Sequence, residues 1–179
     1  MAAKHPLEPL TADEVQLAVS ILKDAGKVTP TTRFVSVSLK EPPRKIVADS
    51  LRESAGTRGA SAPPREAFAV LFDNGTNSCY ETAVSLADRK LLVHKHSPGV
   101  QPTMTSDEQV ECEQAVLASP EFKAALKKQY GIEDTRLVMV DIWSAGNYGA
   151  EEDRTRRLAR PLCFLRTDPT DNGYAKPIE

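Results

Sequence analysis

The chain has 179 residues, of which 40% are hydrophobic and 27% are charged, and its formal net charge is −2. This balance is ordinary for a folded globular protein and gives no electrostatic reason to expect nucleic acid or an anionic membrane as a partner. No apolar run approaches the roughly 20 residues that span a bilayer, and the start lacks the apolar core of a signal peptide. The three scattered cysteines favour reduced thiols in an intracellular compartment.

The first predicted element is an amphipathic helix. Thr11 and Glu14 have the spacing of a capping box, in which each side chain bonds the backbone of the other residue. Gly26 is predicted to end the helix in the left-handed αL conformation. Between them, apolar residues recur at the spacing of one helix face. This stripe consists of Val15, Leu17, Ala18, Val19, Ile21 and Leu22.

A half-buried strand is predicted next, because apolar residues alternate with serines over residues 33–39. Pro42 and Pro43 end it, since proline cannot donate to a strand ladder. The run from Arg52 to Pro64, rich in glycine, alanine, serine and proline, predicts an exposed loop.

Three further strands are predicted to form a meander. The first two flank Asn74 and Gly75, a pair that favours a type I′ hairpin turn. This turn is also the stronger interpretation of the glycosylation sequon Asn74-Gly75-Thr76. The strands cover residues 67–72, 79–86 and 91–96.

The second half of the chain repeats this order of elements. Thr105 and Glu108 form another capping-box pattern, and Ser119-Pro120 predicts the start of a further helix that Gly131 ends. Strands are predicted at residues 135–142 and 157–165, and a last, incomplete strand from Tyr174.

We therefore predict an α+β fold made of two small consecutive domains, each a helix followed by an antiparallel sheet. The expected boundaries are residues 5–98 for the first domain and 103–179 for the second, with residues 1–4 as a flexible start.

His94 and His96 are the most tempting local candidates for a metal site, because positions i and i+2 of a strand point to one face. A metal site needs at least a third ligand, and the remaining histidine is His5 in the lead-in. The two imidazoles are therefore predicted to be solvated side chains, and no metal ligand is assigned.

Several short runs, taken in order, resemble the amino-terminal region of the copper- and quinone-containing primary amine oxidases. The sequences of these runs are most similar to those of the fungal and yeast-like members, although Lys176 stands where histidine is more usual. The runs are residues 5–11, 37–45, 63–68, 99–102, 141–143 and 174–177.

This resemblance implies the N2 and N3 domains of such an oxidase, which have a cystatin-like fold. The parent is a homodimer that uses copper and topaquinone to oxidise primary amines to aldehydes, releasing ammonia and hydrogen peroxide. The segment would pack on the parent's catalytic β-sandwich domain and line substrate access. It would hold no catalytic residue or cofactor and would be inactive alone.

Trp143 and Tyr174 fall where the family tends to place aromatic residues of the amine channel. A large flat ring suits a gate, because it accepts an aliphatic or aromatic stem by apolar contact. The other interpretation is that Trp143 fills the core of the second domain. Asn147-Tyr148 resembles the family's topaquinone precursor only in part, since Gly149 follows the tyrosine. Turn chemistry is the preferred interpretation there.

Two other functions remain open. A free-standing protein-interaction module of the same fold would recruit a partner by strand addition at its edges. A small metalloenzyme would depend on His94 and His96. The cysteines and the amino-terminal sequence indicate an intracellular location, cytoplasmic or peroxisomal.

Overall fold

The computed structural model describes residues 5–56, 63–146 and 148–178. The chain divides into two units, residues 1–102 and 103–179. Each unit combines helices with one antiparallel sheet, so the predicted α+β class is confirmed. In the first unit the elements are α1 (Ala12–Asp24), β1 (Thr32–Lys40), α2 (Arg44–Gly56), β2 (Glu66–Asp73), β3 (Ser78–Ser85) and β4 (Lys90–Ser97).

Helix α1 forms where the sequence predicts it. The capping box at Thr11 and Glu14 is present, and Gly26 follows the helix with a positive φ of 66°. The helix buries its apolar stripe against one face of the four-stranded sheet, whose strand order is β1-β2-β3-β4. The core consists of Ala18, Ile21, Leu22, Ala67, Ala69, Leu71, Val84 and Leu86.

Both tight hairpins of this sheet use four-residue loops. Asp73 pairs with Ser78 across the first loop and Ser85 with Lys90 across the second. The residue with positive φ is the last of each loop, Asn77 in the first and Arg89 in the second. The predicted type I′ turn is therefore wrong, because neither Asn74 nor Gly75 has a positive φ. A longer hairpin loop needs only one left-handed position.

Helix α2 was not predicted, and its last turns occupy the start of the expected loop at 52–64. Residues 57–62 of that loop lie outside the described residues. Ser50 is buried on α2, whereas Ile46 and Leu51 are exposed. Ile46, Val47 and Leu51 stand at helical spacing, but no Ser, Thr, Asp or Asn precedes Arg44 as an N-cap, so the start of the helix carries no local signal.

The second unit begins with two consecutive helices. Thr105 and Glu108 form the predicted capping box of the first. Ser119 then caps the start of the second, and Gly131 ends it with a φ of 67°. The elements are α3 (Ser106–Ala118), α4 (Pro120–Tyr130), β5 (Val138–Ser144), α5 (Glu151–Thr155), β6 (Ala159–Leu165) and β7 (Pro177–Ile178).

The three strands of the second unit pair in the order β5-β6-β7, and one face of this sheet packs on the helices. Leu126 of α4, Val138 and Val140 are buried at the centre of this core. The predicted strand from residue 135 begins three residues later, since Thr135–Leu137 forms a 3₁₀ turn. The last strand is also shorter than predicted, starting at Pro177.

One ion pair recurs in both units. The glutamate of each capping box also accepts from an arginine that lies just before a strand of the same unit. Arg65 bonds Glu14 at 2.7 Å, and Arg157 bonds Glu108 at 2.9 Å. Each arginine also donates to backbone oxygens before the helix, namely those of Glu8 and Pro9 for Arg65 and that of Thr103 for Arg157. The pair thus ties the start of a helix to a sheet.

Candidate functional site

The sheet of the second unit has one face against its helices and one open face. Val138, Val140 and Ile142 of β5 pack on the core. Successive residues of a strand point to opposite faces, so Asp141 and Trp143 lie on the open face.

Trp143 is the most prominent side chain of this face. It is 58% exposed, and its indole Nε1–H donates to Asp141 Oδ2 at 3.0 Å. The interpretation that Trp143 fills the core is therefore wrong, because the core side chains of β5 point the other way. The hydrogen bond holds the ring against its own strand.

Tyr174 lies near the other end of the same face. It is 57% exposed, and its ring meets that of Phe164 edge-on, with 5.1 Å between the centroids. Tyr174 contacts Phe164, whereas Trp143 lies opposite Arg160, four residues earlier on β6. Since a strand rises about 3.3 Å per residue, the backbone positions of Phe164 and Arg160 are about 13 Å apart. Both predicted aromatics thus share a face without touching each other.

The neighbouring loop and strand β6 add an aromatic–cation contact that the sequence analysis did not predict. Tyr148 is 79% exposed, and the Arg160 guanidinium lies 5.8 Å from the centre of its ring. The backbone N–H groups of Tyr148 and Ala150 both donate to Asp153 Oδ2, at 2.7 and 3.1 Å. Gly146 and Gly149 have positive φ, so the run has the predicted turn chemistry, although Asn147 lies outside the described residues.

An apolar groove of about 380 Å³ lies at the edge of the same sheet, between α4 and strands β6 and β7. Phe122 and Tyr130 line its helix side, and Pro161, Leu162 and Ile178 line its strand side. Neither Trp143 nor Tyr174 is among the lining residues. Leu162 and Phe164 of the open face also line the groove, so the groove borders that face.

His94 and His96 lie in the first unit, on strand β4. Both imidazoles pack on Tyr80, with ring centroids 4.7 and 5.2 Å from the phenol ring. Burial and the charge of Lys27 lower the pKa of His94. Among the described residues, no three histidine, cysteine, aspartate or glutamate side chains are grouped as metal ligands require.

The described helices also include none that is both long and apolar enough to cross a membrane.

Two family models match the chain in succession. The model described as "Copper amine oxidase, N2 domain" matches residues 5–98, and "Copper amine oxidase, N3 domain" matches residues 107–179. The boundary between the two matches falls where the structure divides into two units.

Curated relatives include a peroxisomal N-methylputrescine oxidase from Nicotiana tabacum, 35% identical over 98% of this chain and 26% of the relative. A primary amine oxidase from Arthrobacter sp. strain P1 is 39% identical over all of this chain and 26% of the relative. The chain thus spans about a quarter of the length of these relatives.

Among solved structures, a copper-containing benzylamine oxidase from Hansenula polymorpha superimposes with a TM-score of 0.82. The match covers 98% of this chain and 27% of that structure, at 21% sequence identity, and shows a shared fold. Together with the two domain models, these similarities lead to one conclusion. The chain belongs to the copper amine oxidase family, of which it carries the N2 and N3 domains.

Proposed function

We propose that this chain is the amino-terminal, non-catalytic region of an oxidase that converts primary amines to aldehydes. In that reaction a primary ammonium ion, dioxygen and water give an aldehyde, an ammonium ion and hydrogen peroxide. The observation that carries the proposal is the match of both amino-terminal domain models, in order, to residues 5–98 and 107–179. The oxidase names of the relatives support the same reaction class.

Within this proposal, Trp143 and Tyr174 line the route of the amine. Both side chains are more than half exposed and lie on the open face of the second sheet. The indole is held in place by Asp141, so it offers a fixed apolar surface to the stem of an amine. The rest of the open face packs on the catalytic β-sandwich domain, and the parent is a homodimer.

Copper and topaquinone supply the redox chemistry in this family, and the proposal assigns both to the remainder of the parent chain. The described residues do not fit a copper ion. His94 and His96 pack on Tyr80, and no third ligand is grouped with them in the described ranges. Two of the tobacco relatives are named peroxisomal, which supports an intracellular, peroxisomal location for the parent.

The experiment compares residues 1–179 alone with the proposed longer protein, in which the catalytic domain follows these residues. After incubation with copper and air, we expect amine-dependent peroxide from the longer protein and none from residues 1–179. In the longer protein, Trp143→Ala and Tyr174→Ala should each change kcat/KM for benzylamine by about fivefold or more, and that for methylamine much less. Tyrosine-dependent peroxide from residues 1–179, or equal effects on the two amines, would contradict the proposal.

The alternative is a free-standing interaction module that adds a partner's strand to a sheet edge. The match to two oxidase domains in their order favours the oxidase over this alternative.

A further inference from the structure

The chain contains two asparagine–glycine pairs, and the structure holds them differently. Asn74 and Gly75 lie in the loop between β2 and β3, whereas Asn172 and Gly173 lie in the segment that leads to β7. Both asparagines are exposed. Asparagine before glycine is prone to lose its side-chain amide, because glycine has no Cβ to hinder attack by its own backbone nitrogen. The same local chemistry thus occurs in two different surroundings.

The backbone nitrogen of Gly75 is held by a carboxylate. Its N–H donates to Asp73 Oδ1 at 2.8 Å. Hydrogen bonds, that from Thr31 first among them, lower the pKa of Asp73, so this carboxyl group is charged at neutral pH. Attack on the Asn74 side chain needs the Gly75 nitrogen without its proton, which would place a second negative charge beside the carboxylate. The folded loop therefore protects the first pair.

The backbone nitrogen of Gly173 has no such restraint. Within the described ranges, no acceptor lies in hydrogen-bonding position to its N–H. The side chain of Asn172 is held instead, since its Oδ1 accepts from the Tyr174 N–H at 3.0 Å. This hydrogen bond stabilises the oxygen that becomes negative when the amide carbon is attacked. The second pair thus combines an available nucleophile with a polarised carbonyl group.

Packing requires glycine at position 173. A Cβ there would collide with Met139 Sδ and lie 3.2 Å from Arg166 Nη2. A larger residue, whose side chain would hinder the attack, therefore cannot occupy this position unless Met139 moves. The contact with β5 maintains the reactive sequence.

We propose that Asn172 is a site of spontaneous deamidation in the folded chain and that Asn74 is protected from it. The Gly173 nitrogen loses its proton to hydroxide and attacks Cγ of Asn172. A C–N bond forms, the bond from Cγ to Nδ2 breaks, and the leaving nitrogen takes a proton from water to become ammonia. Water then opens the cyclic imide at either carbonyl and gives aspartate or isoaspartate. Amide and water are thereby converted to carboxylate and ammonium ion, with no further reactant.

Either product alters the segment before β7. The new carboxylate adds a negative charge next to Asp171, and isoaspartate also inserts a methylene group into the backbone ahead of Tyr174. The edge-on contact between Tyr174 and Phe164 should therefore loosen in the isoaspartate form. An effect on amine entry would rest on the function proposed above, whereas the conversion itself does not.

The experiment measures conversion at both asparagines in one sample. Residues 1–179 are kept at mildly alkaline pH, in buffer and in urea, and peptide mass spectrometry with fragmentation locates each converted residue over time. In urea the two pairs should convert at similar rates. In the folded chain Asn172 should convert at least about tenfold faster than Asn74, because a charge-assisted hydrogen bond holds Gly75. Higher pH should speed the conversion of Asn172.

Asn172→Gln and Asn74→Gln are matched variants, since glutamine must form a larger ring and converts more slowly. Asn172→Gln should remove the acidic species that accumulates on ion-exchange chromatography, and Asn74→Gln should leave it unchanged. Equal conversion of the two asparagines in the folded chain would overturn the proposal, and so would an acidic species that persists in Asn172→Gln. Both results are independent of peroxide formation, so either would leave the proposed function intact.

Discussion

Glu108 carries two functions in the second unit, since it completes a capping box and also pairs with Arg157. Burial by itself raises the pKa of this carboxyl group. Hydrogen bonds from Arg157 and from the Thr105 backbone outweigh burial and lower the pKa to about 2. The side chain is 10% exposed, so water screens the pair only weakly. A single carboxylate thus links the start of α3 to the segment before β6.

The pH dependence of stability follows from this lowered pKa. Above the ordinary glutamate pKa of 4.5, the contribution of Glu108 is fully present. It is lost as the pH falls towards about 2, because the unfolded chain then takes up the proton more readily. Glu108→Gln should lower the free energy of unfolding at pH 7 by about 1–3 kcal/mol and flatten its decline between pH 5 and pH 2. Urea unfolding at a series of pH values measures both effects.

Glu133→Gln is the control for this prediction, because the Glu133 and Lys127 side chains are each about 70% exposed. Removal of that surface pair should change the stability by less than about 0.5 kcal/mol. If Glu108→Gln behaved like Glu133→Gln, the ion pair with Arg157 would not stabilise the unit.

Gly75 is required by a close contact rather than by its backbone angles. A Cβ at this position would lie 2.9 Å from Thr31 Oγ1 and 3.2 Å from Asp73 Oδ1. These two atoms are themselves joined by a hydrogen bond of 2.7 Å. Gly75→Ala should therefore destabilise the first unit by about 1–2 kcal/mol, measured by denaturant unfolding.

Thr76→Ala, one residue further in the same exposed loop, is the matched control and should be nearly neutral. A neutral Gly75→Ala would mean that Thr31 moves aside without losing Asp73. In that case the contact would not determine the residue at position 75.

At the scale of elements, Ser119 connects two helices. Its backbone N–H donates to the carbonyls of Ala115 and Val116 at the end of α3. Its hydroxyl accepts from the Phe122 N–H at 3.2 Å and so caps α4. Ser119→Ala should cost about 1 kcal/mol and speed amide exchange in the first turn of α4. Ser106→Ala in the first turn of α3 is the control, and equal exchange rates in the two variants would contradict the capping role.

The elements that the sequence predicts well are those with a local chemical signal. Both capping boxes, the Ser119-Pro120 start and the glycine stops depend on neighbouring residues, so they are readable without the fold. Helix α2 lacks such a signal at its start, since Pro42 and Pro43 stand where an N-cap residue would be read. The hairpin at Asn74 was assigned the wrong turn type, because loop length depends on strand register, which the dipeptide does not encode.

At the scale of the molecule, short runs that resemble one family predicted the succession of the two domains, whereas local periodicity predicted the main strands and missed helices α2 and α5. The candidate site was predictable only in part. Trp143 and Tyr174 were identified by position, but their exposure depends on which face of β5 and β6 meets the helices. Asp141 was overlooked, although its spacing of two from Trp143 already placed both side chains on one face of a strand. Arg160 and Tyr148 come together only through strand pairing and a loop.

Pro161, one of the residues that line the groove, has a further consequence for how the second sheet behaves in concentrated solution. The Leu165 N–H donates to the carbonyl of Lys176, on the side of β6 where β7 lies. The backbone N–H and C=O groups of the alternate residues 163 and 161 point to the same side. Any strand that pairs with β6 at this point finds a carbonyl but no amide hydrogen at Pro161. Its ladder would be interrupted at that point. Fibril-like growth by edge-to-edge stacking is thereby disfavoured along this part of the sheet.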